Sequence, residues 1–429
     1  MPAKPHGDGR ARNTMAKTAR GLVRRTSRRQ LERRIIMAAL VALLVPAAGA
    51  TQQSGKPEKT AALLAAIAEV EAGRRTTPLV GEKGASGFTV TFLARRGGGP
   101  IPRIVSDVTG WGERPDDTFD FKAGTMKRVA RTDWYFLETT VAAGARIEYL
   151  VARGVRDYGP DPYNPRRTAI RGTSPASEFV TPGYLPPREF EDPPVAPGGR
   201  VEELTIESRA LGGPRSVIVY TPPGYRDNGG YPVVVFHGGL HVASTGVGGR
   251  VLDWLIARQA IEPLVAVFAD SWPQDNHGDA ASRLRSFVSG EILEWMASRW
   301  SVTADADKRA VLAVSYGAKD ALDVAVRAHA FGRVGLLIPG RRMTRTDITA
   351  LASVRGPHLH VAILAGLYDG PNLATARRAR QALTAAGHTV DYIEVPEGHN
   401  QGTWRNHLRD VLVSLFGTKR ESGSRNQAE

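Results

Sequence analysis

The chain has 429 residues, of which 42% are apolar, and it carries a formal net charge of +14 and no cysteine. This length suits two domains with ample cores, and the absence of cysteine excludes disulfides, thiol catalysis and a lipoprotein anchor. Residues 1–50 hold eleven Lys and Arg against two acids and so account for most of the positive charge. The remaining chain is only mildly basic, and its charge gives no argument for nucleic acid as a partner.

Residues 1–50 have the pattern of an export signal. The apolar run Ile35–Val45 follows the basic stretch, and Ala48 and Ala50 fit a small-residue cleavage site. The run is too short to span a bilayer comfortably, so we expect contact with a membrane only through this signal. The protein is therefore predicted to be periplasmic or secreted.

The export route stays open between the general secretory and the twin-arginine pathways. Ser27-Arg-Arg-Gln-Leu31 suggests a twin-arginine signal, but Glu32 stands where a basic residue is usual. The pattern therefore predicts export without selecting the route.

The segment after the signal is predicted to form a helical leader and then a small all-β module. Within the leader, 51–85, the apolar spacing of Lys59–Glu71 is typical of an amphipathic helix. Between 86 and 181, short runs with period-two alternation are separated by turn residues, which predicts a β-sandwich. The predicted strands are Phe88–Leu93, Ile104–Val108, Trp134–Thr139 and Ala145–Val151.

A linker rich in Pro and Gly, 182–200, separates this module from an α/β domain predicted over 201–418. The polar tail 419–429 is predicted to be disordered. Early in the α/β domain, the apolar strand Pro232–Gly239 ends in His-Gly-Gly, where glycines leave backbone N–H groups open to a substrate oxygen.

The next apolar strand, Pro263–Ala269, is followed by a loop that contains Asp270, Asp275, His277 and Asp279. Acids and a histidine suggest a metal, but their spacing matches no known ligand pattern. We therefore expect a solvated loop, no metal and no cofactor.

The most informative motif is Ala-Val-Ser-Tyr-Gly-Ala at 313–318. It lies between the buried-strand pattern Arg309–Val314 and the helical pattern Lys319–Arg327. A serine on such a strand-to-helix turn, with small residues two positions before and after it, is the nucleophile elbow of the α/β-hydrolases. The pattern predicts Ser315 as the nucleophile, although alanine replaces the usual first glycine.

The partners of this serine follow in the order of a hydrolase triad. The strand Leu359–Ala365 leads to Asp369, a helical pattern runs over 372–386, and the strand Thr389–Val395 leads to His399. His399 would take the proton of the serine as general base, and Asp369 would hold the imidazole tautomer and stabilise the imidazolium. The serine motif alone is weak evidence for a hydrolase, and the order serine, acid, histidine along the chain makes the prediction specific.

Several alternatives stay open at the sequence level. Asp369 lies in a Tyr-Asp-Gly-Pro turn, where aspartate is common for conformational reasons, so Glu394 and Glu397 remain fallback acids. His407 follows on a helix and is expected to be a surface or packing residue. The predicted oxyanion donors are the N–H groups of Gly238, Gly239 and Tyr316.

These motifs resemble the enterochelin (ferric siderophore) esterase family. The segments that resemble its esterase domain are Arg215–Tyr225, Ala330–Val334 and Gly398–Arg405, the last of which makes His399 the catalytic histidine of the family pattern. Val90–Arg96, Asp107–Trp111, Met126–Trp134 and Asp161–Arg167 resemble the family's N-terminal immunoglobulin-like module. The resemblance implies an α/β fold class: an α/β-hydrolase domain preceded by a small all-β immunoglobulin-like sandwich.

The resemblance further implies a cofactor-independent serine esterase whose substrate is an ester or lactone of an aromatic acyl group, such as a catecholate siderophore. An esterase acting on polysaccharide-linked feruloyl or acetyl groups is the alternative, and a binding protein on a hydrolase scaffold is a third interpretation. Similar modules bind glycans or shape the cleft, so Trp111 and Trp134 are either cleft or core residues. The sequence leaves the oligomeric state open.

Overall fold

The structure, a computed structural model, describes residues 57–418 apart from positions 115, 117, 155–156, 169–174, 245 and 273–278. The predicted export signal and the predicted disordered tail lie outside the described residues, and both stay predictions. No helix in the described part of the chain is long and apolar enough to cross a membrane.

The first part of the chain contains one helix and two antiparallel sheets. The sheets have the strand orders β1-β2-β5-β4 and β3-β6-β9-β8, with β7 beside β6. A 3₁₀ turn, Asp107–Gly112, follows β3. The bounds are α1 Pro57–Glu71, β1 Leu79–Gly84, β2 Gly87–Arg95, β3 Arg103–Ser106, β4 Lys127–Arg128, β5 Trp134–Val141, β6 Arg146–Ala152, β7 Tyr158–Gly159, β8 Arg167–Thr168 and β9 Ala176–Val180.

The two sheets share one apolar core, because alternate residues of each strand point to the same face. Phe92 of β2 meets Tyr149 of β6 and Phe179 of β9 edge to face, with ring centroids 5.0 and 5.6 Å apart. The four strands predicted from the period-two pattern correspond to β2, β3, β5 and β6, but the one predicted over Ile104–Val108 ends at Ser106, where the 3₁₀ turn begins. The likeness of this part to an immunoglobulin domain stays a prediction.

Trp134 lies in a second, smaller core between helix α1 and the first sheet. Its side chain is 3% exposed and packs with Leu63, Ile67 and Val70 of the helix. Its indole N–H donates to Glu71 at 2.9 Å. Of the two interpretations of Trp134, the structure supports a core residue and not a cleft residue.

The second part is built on one eight-stranded sheet of order β10-β11-β13-β12-β14-β15-β16-β17. The strands from β13 onward along this order are parallel, while β10 and β11 are antiparallel to their neighbours. The strands are β10 Arg200–Ser208, β11 Gly213–Thr221, β12 Val233–His237, β13 Val265–Ala269, β14 Arg309–Val314, β15 Arg333–Leu337, β16 His360–Gly366 and β17 Thr389–Val395. This arrangement is an α/β-hydrolase-type domain.

Helices cover both faces of this sheet, so its central strands are apolar throughout. Strands β12 and β13 are buried at every position. The helices are α2 Arg188–Glu191, α3 Leu240–Ser244, α4 Val247–Ala257, α5 Ala280–Arg285, α6 Ile292–Ala297, α7 Gly317–Ala328, α8 Arg345–Ala352, α9 Pro371–Ala385 and α10 Gln401–Phe416; a π-helical turn, Ser286–Glu291, joins α5 to α6.

The predicted linker contains the short helix α2 and is docked on the hydrolase domain. The guanidinium of Arg250 donates to the carbonyl oxygen of Glu189 at 2.7 Å. Arg409 pairs with the buried carboxylate of Glu189 at 2.9 Å, and the indole of Trp254 donates to Asp192 at 2.9 Å. The Pro- and Gly-rich segment is therefore an ordered connection between the first part of the chain and the hydrolase domain.

Candidate active site

Ser315 lies on a strained turn between β14 and α7. Its φ is +53°, in the left-handed region that non-glycine residues rarely adopt. A methyl group on Gly317 would lie 2.9 Å from the Cβ of Ala313 and 3.0 Å from His237 Cδ2. The second glycine of the motif is therefore needed for space, whereas the alanine at 313 fits against it.

The three residues predicted as a triad form a continuous hydrogen-bonded line. Ser315 Oγ lies 2.7 Å from His399 Nε2, and His399 Nδ1 lies 2.7 Å from Asp369 Oδ1. Each residue follows the carboxyl end of a parallel strand, β14, β16 or β17, so the sheet brings together positions 54 and 30 residues apart. This geometry allows proton transfer from the hydroxyl to the imidazole.

Asn372 is part of the site and was not among the residues predicted from the sequence. Its Nδ2 donates to Asp369 Oδ1 at 2.9 Å, while its Oδ1 accepts the N–H of Arg341 at 2.7 Å. The amide thus fixes the orientation of the buried carboxylate. An asparagine three residues after the aspartate, at the start of a helix, was the available signal.

The charge around His399 favours the protonated imidazole. Burial by itself lowers the pKa of His399, but the hydrogen bond and the charge of Asp369 outweigh it, with smaller contributions from Glu113 and Asp107. The net pKa of His399 lies above its ordinary value. An imidazolium at His399 would therefore be stabilised by Asp369.

The two fallback acids lie elsewhere. Glu394 forms a two-pronged ion pair with Arg377 on the outer surface, at 2.7 and 3.1 Å. Glu397 is 1% exposed and faces Arg146 and His407, at 3.5 and 3.1 Å. Of the three acids, Asp369 is the one that the structure places against His399.

His407 is a second histidine held between carboxylates. Its Nε2 lies 3.1 Å from Glu397 Oε1 and its Nδ1 lies 3.0 Å from Asp410 Oδ2. Burial lowers the pKa of His407, but the hydrogen bonds and charges of Asp410 and Glu397 outweigh it and raise the pKa to about 9. It is a packing residue, as predicted, but one that carries charge at neutral pH.

We expect His407 to make stability depend on pH. Because its folded pKa is raised above the unfolded value, its contribution is complete below about pH 6.5 and is lost as the pH rises through about 9. In urea unfolding at pH 6, 7.5 and 9, wild type should lose its advantage over His407→Gln as the pH rises, by on the order of 3 kcal/mol at most. A difference that is constant across this range would show that folding does not raise the pKa of His407.

The His-Gly-Gly turn is tied to the loop after β13. The N–H of Gly238 donates to Ser271 Oγ at 3.0 Å, and the N–H of Gly239 donates to the carbonyl oxygen of Ala269 at 3.1 Å. Both predicted donors are thus engaged within the protein, and their role toward a substrate stays a prediction. The N–H of Tyr316, the third predicted donor, has no hydrogen-bond partner among the described residues.

His237, the first residue of the His-Gly-Gly turn, packs between the loop after β13 and helix α7. Its Nδ1 lies 2.5 Å from Ser271 Oγ, and its Nε2 lies 3.4 Å from Asp320 Oδ2 in the first turn of α7. The ring of Trp272 packs on it with centroids 4.5 Å apart. These contacts connect the His-Gly-Gly turn, the loop after β13 and the helix that follows the nucleophile.

Only part of the acidic loop after β13 lies among the described residues. Asp275 and His277 lie outside them, and Asp270 and Asp279 stand at either end of that gap. No group of three or more His, Cys, Asp or Glu that would hold a metal ion occurs in the described residues.

The first part of the chain borders the site. Glu113 pairs with Arg341 at 3.1 Å, and the backbone N–H of Ala142 donates to Tyr368 Oη at 2.7 Å. The indole of Trp111 donates to Asp107 Oδ1 at 2.9 Å and lies in the 3₁₀ turn, whose Gly110 comes close to Gly370, the residue after Asp369. Of the two tryptophans considered for the cleft, Trp111 is the one whose turn borders the predicted triad.

A match to a protein-family model bears on the class of this protein. Residues 208–415 match the Esterase family model. No curated protein matches the chain. Together with the α/β-hydrolase-type fold, the family match defines the chain as a carboxylic ester hydrolase.

Its fold is like that of the enterochelin esterases. The enterobactin esterase FES from Shigella flexneri, solved with 2,3-di-hydroxy-N-benzoyl-glycine, matches with a TM-score of 0.58 and 20% identity over 80% of this chain and 96% of that chain. The ferric enterobactin esterase from Salmonella typhimurium matches with a TM-score of 0.64 and 20% identity over 81% and 98%. At this identity the likeness concerns the fold.

Proposed function

We propose that this protein is an exported serine esterase that hydrolyses its substrate through an acyl-enzyme on Ser315. The observation that carries the proposal is the line from Ser315 Oγ through His399 to Asp369, with both contacts at 2.7 Å. A serine hydroxyl is a poor nucleophile without such a base. The strained backbone at Ser315 adds support, since strain is kept where function requires it.

The first half of the reaction forms the acyl-enzyme. Ser315 Oγ attacks the ester carbonyl carbon as His399 Nε2 takes the hydroxyl proton, and Asp369 stabilises the imidazolium. The tetrahedral intermediate collapses, the bond from the carbonyl carbon to the alcohol oxygen breaks, and His399 returns the proton to the leaving alkoxide. In the second half, water attacks the acyl group with His399 as base, which releases the acid and restores Ser315.

The carbonyl oxygen becomes negative in each tetrahedral intermediate and needs N–H donors. Tyr316 supplies one, since its N–H is not engaged by the described residues. The N–H of Leu240, at the start of α3, is likewise unengaged by them and is a candidate for the second. The hydrogen bonds of Gly238 and Gly239 hold the turn that presents Leu240.

For the substrate we propose a small ester or lactone of an aromatic acyl group, such as a catecholate siderophore. The proposal rests on motif resemblance and on a shared fold with enterobactin esterases, one of them solved with a dihydroxybenzoyl compound. The exposed ring of Tyr316 beside the nucleophile, with Arg342 stacked 4.4 Å from its centroid, offers an aromatic and cationic surface that suits such a group. An immunoglobulin-like identity of the first part of the chain belongs to the same proposal.

A panel of esters tests this function. We expect the full-length mature protein to hydrolyse a catecholate siderophore lactone with a kcat/KM at least about tenfold above feruloyl and acetyl polysaccharide esters, since differential binding in the transition state sets specificity. Higher kcat/KM on feruloyl or acetyl esters would favour the glycan-linked alternative. Absence of turnover on all three classes would contradict the proposed substrates.

Export is proposed from the signal pattern of residues 1–50 alone. Cell fractionation with the full-length gene product and with a variant lacking those residues tests it. The processed protein should leave the cytoplasm, and the shortened variant should stay there. Retention of the full-length protein in the cytoplasm would contradict export.

A further inference from the structure

The loop that carries His399, Pro396–Asn400, is held from outside the hydrolase domain. Asn400 Nδ2 donates to Asp107 Oδ2 at 3.1 Å, and Asn400 Oδ1 accepts from Arg146 Nη1 at 3.2 Å. The backbone N–H of Arg146 donates to the carbonyl oxygen of Pro396 at 3.3 Å. Asp107 and Arg146, which make these three hydrogen bonds, belong to the first part of the chain. They hold the loop at Pro396 and at Asn400, on either side of His399.

We infer that Asp107, acting through Asn400, is a positioning residue that holds His399 in line with Ser315. The inference rests on the proposed function, because it concerns the loop that carries the proposed general base. It gives the first part of the chain a role in the chemical step itself, in addition to any contact with substrate.

The fit of the loop against this contact is tight. A methyl group on Gly398 would lie 1.9 Å from Asp107 Oδ1, and one on Gly402 would lie 2.1 Å from Arg146 Nη1. Real Cβ atoms do not approach other atoms so closely. Glycine at both positions therefore lets the two side chains reach the backbone on either side of the histidine.

Burying the carboxylate of Asp107 costs free energy that an apolar side chain at this contact would not cost. Its side chain is 2% exposed and accepts hydrogen bonds from the backbone of Glu148 at 2.7 Å and from Trp111 at 2.9 Å, besides Asn400. Burial raises the pKa of Asp107 to about 7, and the charge of Glu148 adds to the rise, while Arg146 opposes it. Three N–H donors around one buried carboxylate define its position sharply.

Both ends of the contact are fixed to their own elements. Asp107 begins the 3₁₀ turn, whose capping residue Ser106 accepts the N–H of Val108 at 3.1 Å. Asn400 caps helix α10, since its Oδ1 accepts the N–H of Thr403 at 3.1 Å. Because Asn400 is the residue after His399, a shift of the contact is passed to the imidazole. A displacement of about 1 Å at a reacting group costs on the order of 100-fold in rate.

The test exchanges the two members of the contact. In Asp107→Asn, an amide N–H₂ replaces one of the oxygens that accept hydrogen bonds at position 107. In Asn400→Asp, a second carboxylate faces that of Asp107. We expect each single change in the full chain to lower kcat by about 10- to 100-fold with KM changed by less than about threefold, because His399 moves out of line with Ser315 while the groups that bind substrate stay in place. The double variant, Asp107→Asn with Asn400→Asp, restores an amide-to-carboxylate bond between the two positions, although the N–H of Glu148 or of Trp111 still faces the new amide N–H₂. It should therefore recover only part of kcat, to at least about threefold above Asp107→Asn.

A gentler variant covers the case in which a single change prevents folding. Asn400→Ser keeps an N-cap oxygen for α10 but is too short to reach Asp107. It should fold and show the same loss of kcat. The matched control is Thr77→Val, which removes a buried hydrogen bond of 2.6 Å to Asp161 in the same part of the chain, away from the loop. The control should lower the melting temperature and leave kcat unchanged.

The rate of labelling by a fluorophosphonate probe separates this inference from the proposed function. If wild type is not labelled at Ser315, the proposed function fails. If wild type is labelled and the folded Asn400→Ser and Asp107→Asn proteins are labelled and turn over at the wild-type rate, only the inference is overturned. Failure of the double variant to recover kcat while its melting temperature recovers would also overturn it.

Discussion

Ser315→Ala should remove ester hydrolysis while leaving the fold intact. Loss of the nucleophile of a triad lowers kcat by on the order of 10⁶, because the acyl-enzyme route is closed and only binding and oxyanion stabilisation remain. The folded protein should tolerate the change, since alanine keeps the small volume that the elbow needs. Turnover of an activated ester and labelling by a fluorophosphonate probe are the measurements.

The control for this result is Ser353→Ala, which removes an exposed serine hydroxyl that bonds only to the carbonyl oxygen of Ala350 at 2.8 Å among the described residues. It should be labelled and turn over like wild type. Labelling of the Ser315→Ala protein at another serine, or turnover that survives in it, would show that the nucleophile lies elsewhere.

Asp369→Asn should lower kcat by about 10⁴, because the amide no longer selects the productive imidazole tautomer or stabilises its charge. KM should change little, since the carboxylate is 4% exposed and is turned toward His399 and Asn372. Steady-state kinetics on the same activated ester measure both constants.

Glu394→Gln and Glu397→Gln are the matched controls, since each neutralises a carboxylate close to His399 in sequence. Glu394→Gln should cost little of either kcat or stability, because its ion pair with Arg377 lies at the surface. Glu397→Gln should lower stability, because it leaves Arg146 and His407 with less countercharge, but should reduce kcat far less than Asp369→Asn. A glutamate variant with the larger loss of kcat would move the acid to that position.

The elements that frame the candidate site could be predicted from local pattern. The ranges predicted for the strands before the nucleophile and before the histidine, Arg309–Val314 and Thr389–Val395, coincide with β14 and β17. β14 is a central strand and is apolar over most of its length, whereas the edge strand β17 mixes apolar residues with Asp391 and Glu394. The elbow is also local, because its requirement for small residues acts within a few positions of Ser315.

The sequence favoured Asp369 as the acid but left Glu394 and Glu397, which are closer to His399 along the chain, as alternatives. The folded protein separates the three: one faces the imidazole, one faces Arg377 at the surface, and one is buried against Arg146. Which acid meets a histidine depends on strand order and on loop direction. Both follow from packing over the whole sheet, and neither is encoded in spacing.

The sequence by itself determined the order of strands and helices, the strained serine turn and the succession of serine, acid and histidine, because each depends on residues close in the chain. The tertiary structure decided which distant segments meet. It places Asn372 beside Asp369, and it engages the N–H groups of Gly238 and Gly239 with the segment that ends β13 and the loop after it. It also brings Asp107 and Arg146 into hydrogen-bond contact with the loop of His399. Asp107 and Asn400 are 293 residues apart. Hydrogen bonds at such separation form only when two independently built surfaces meet, and no periodicity or motif within either segment records its partner.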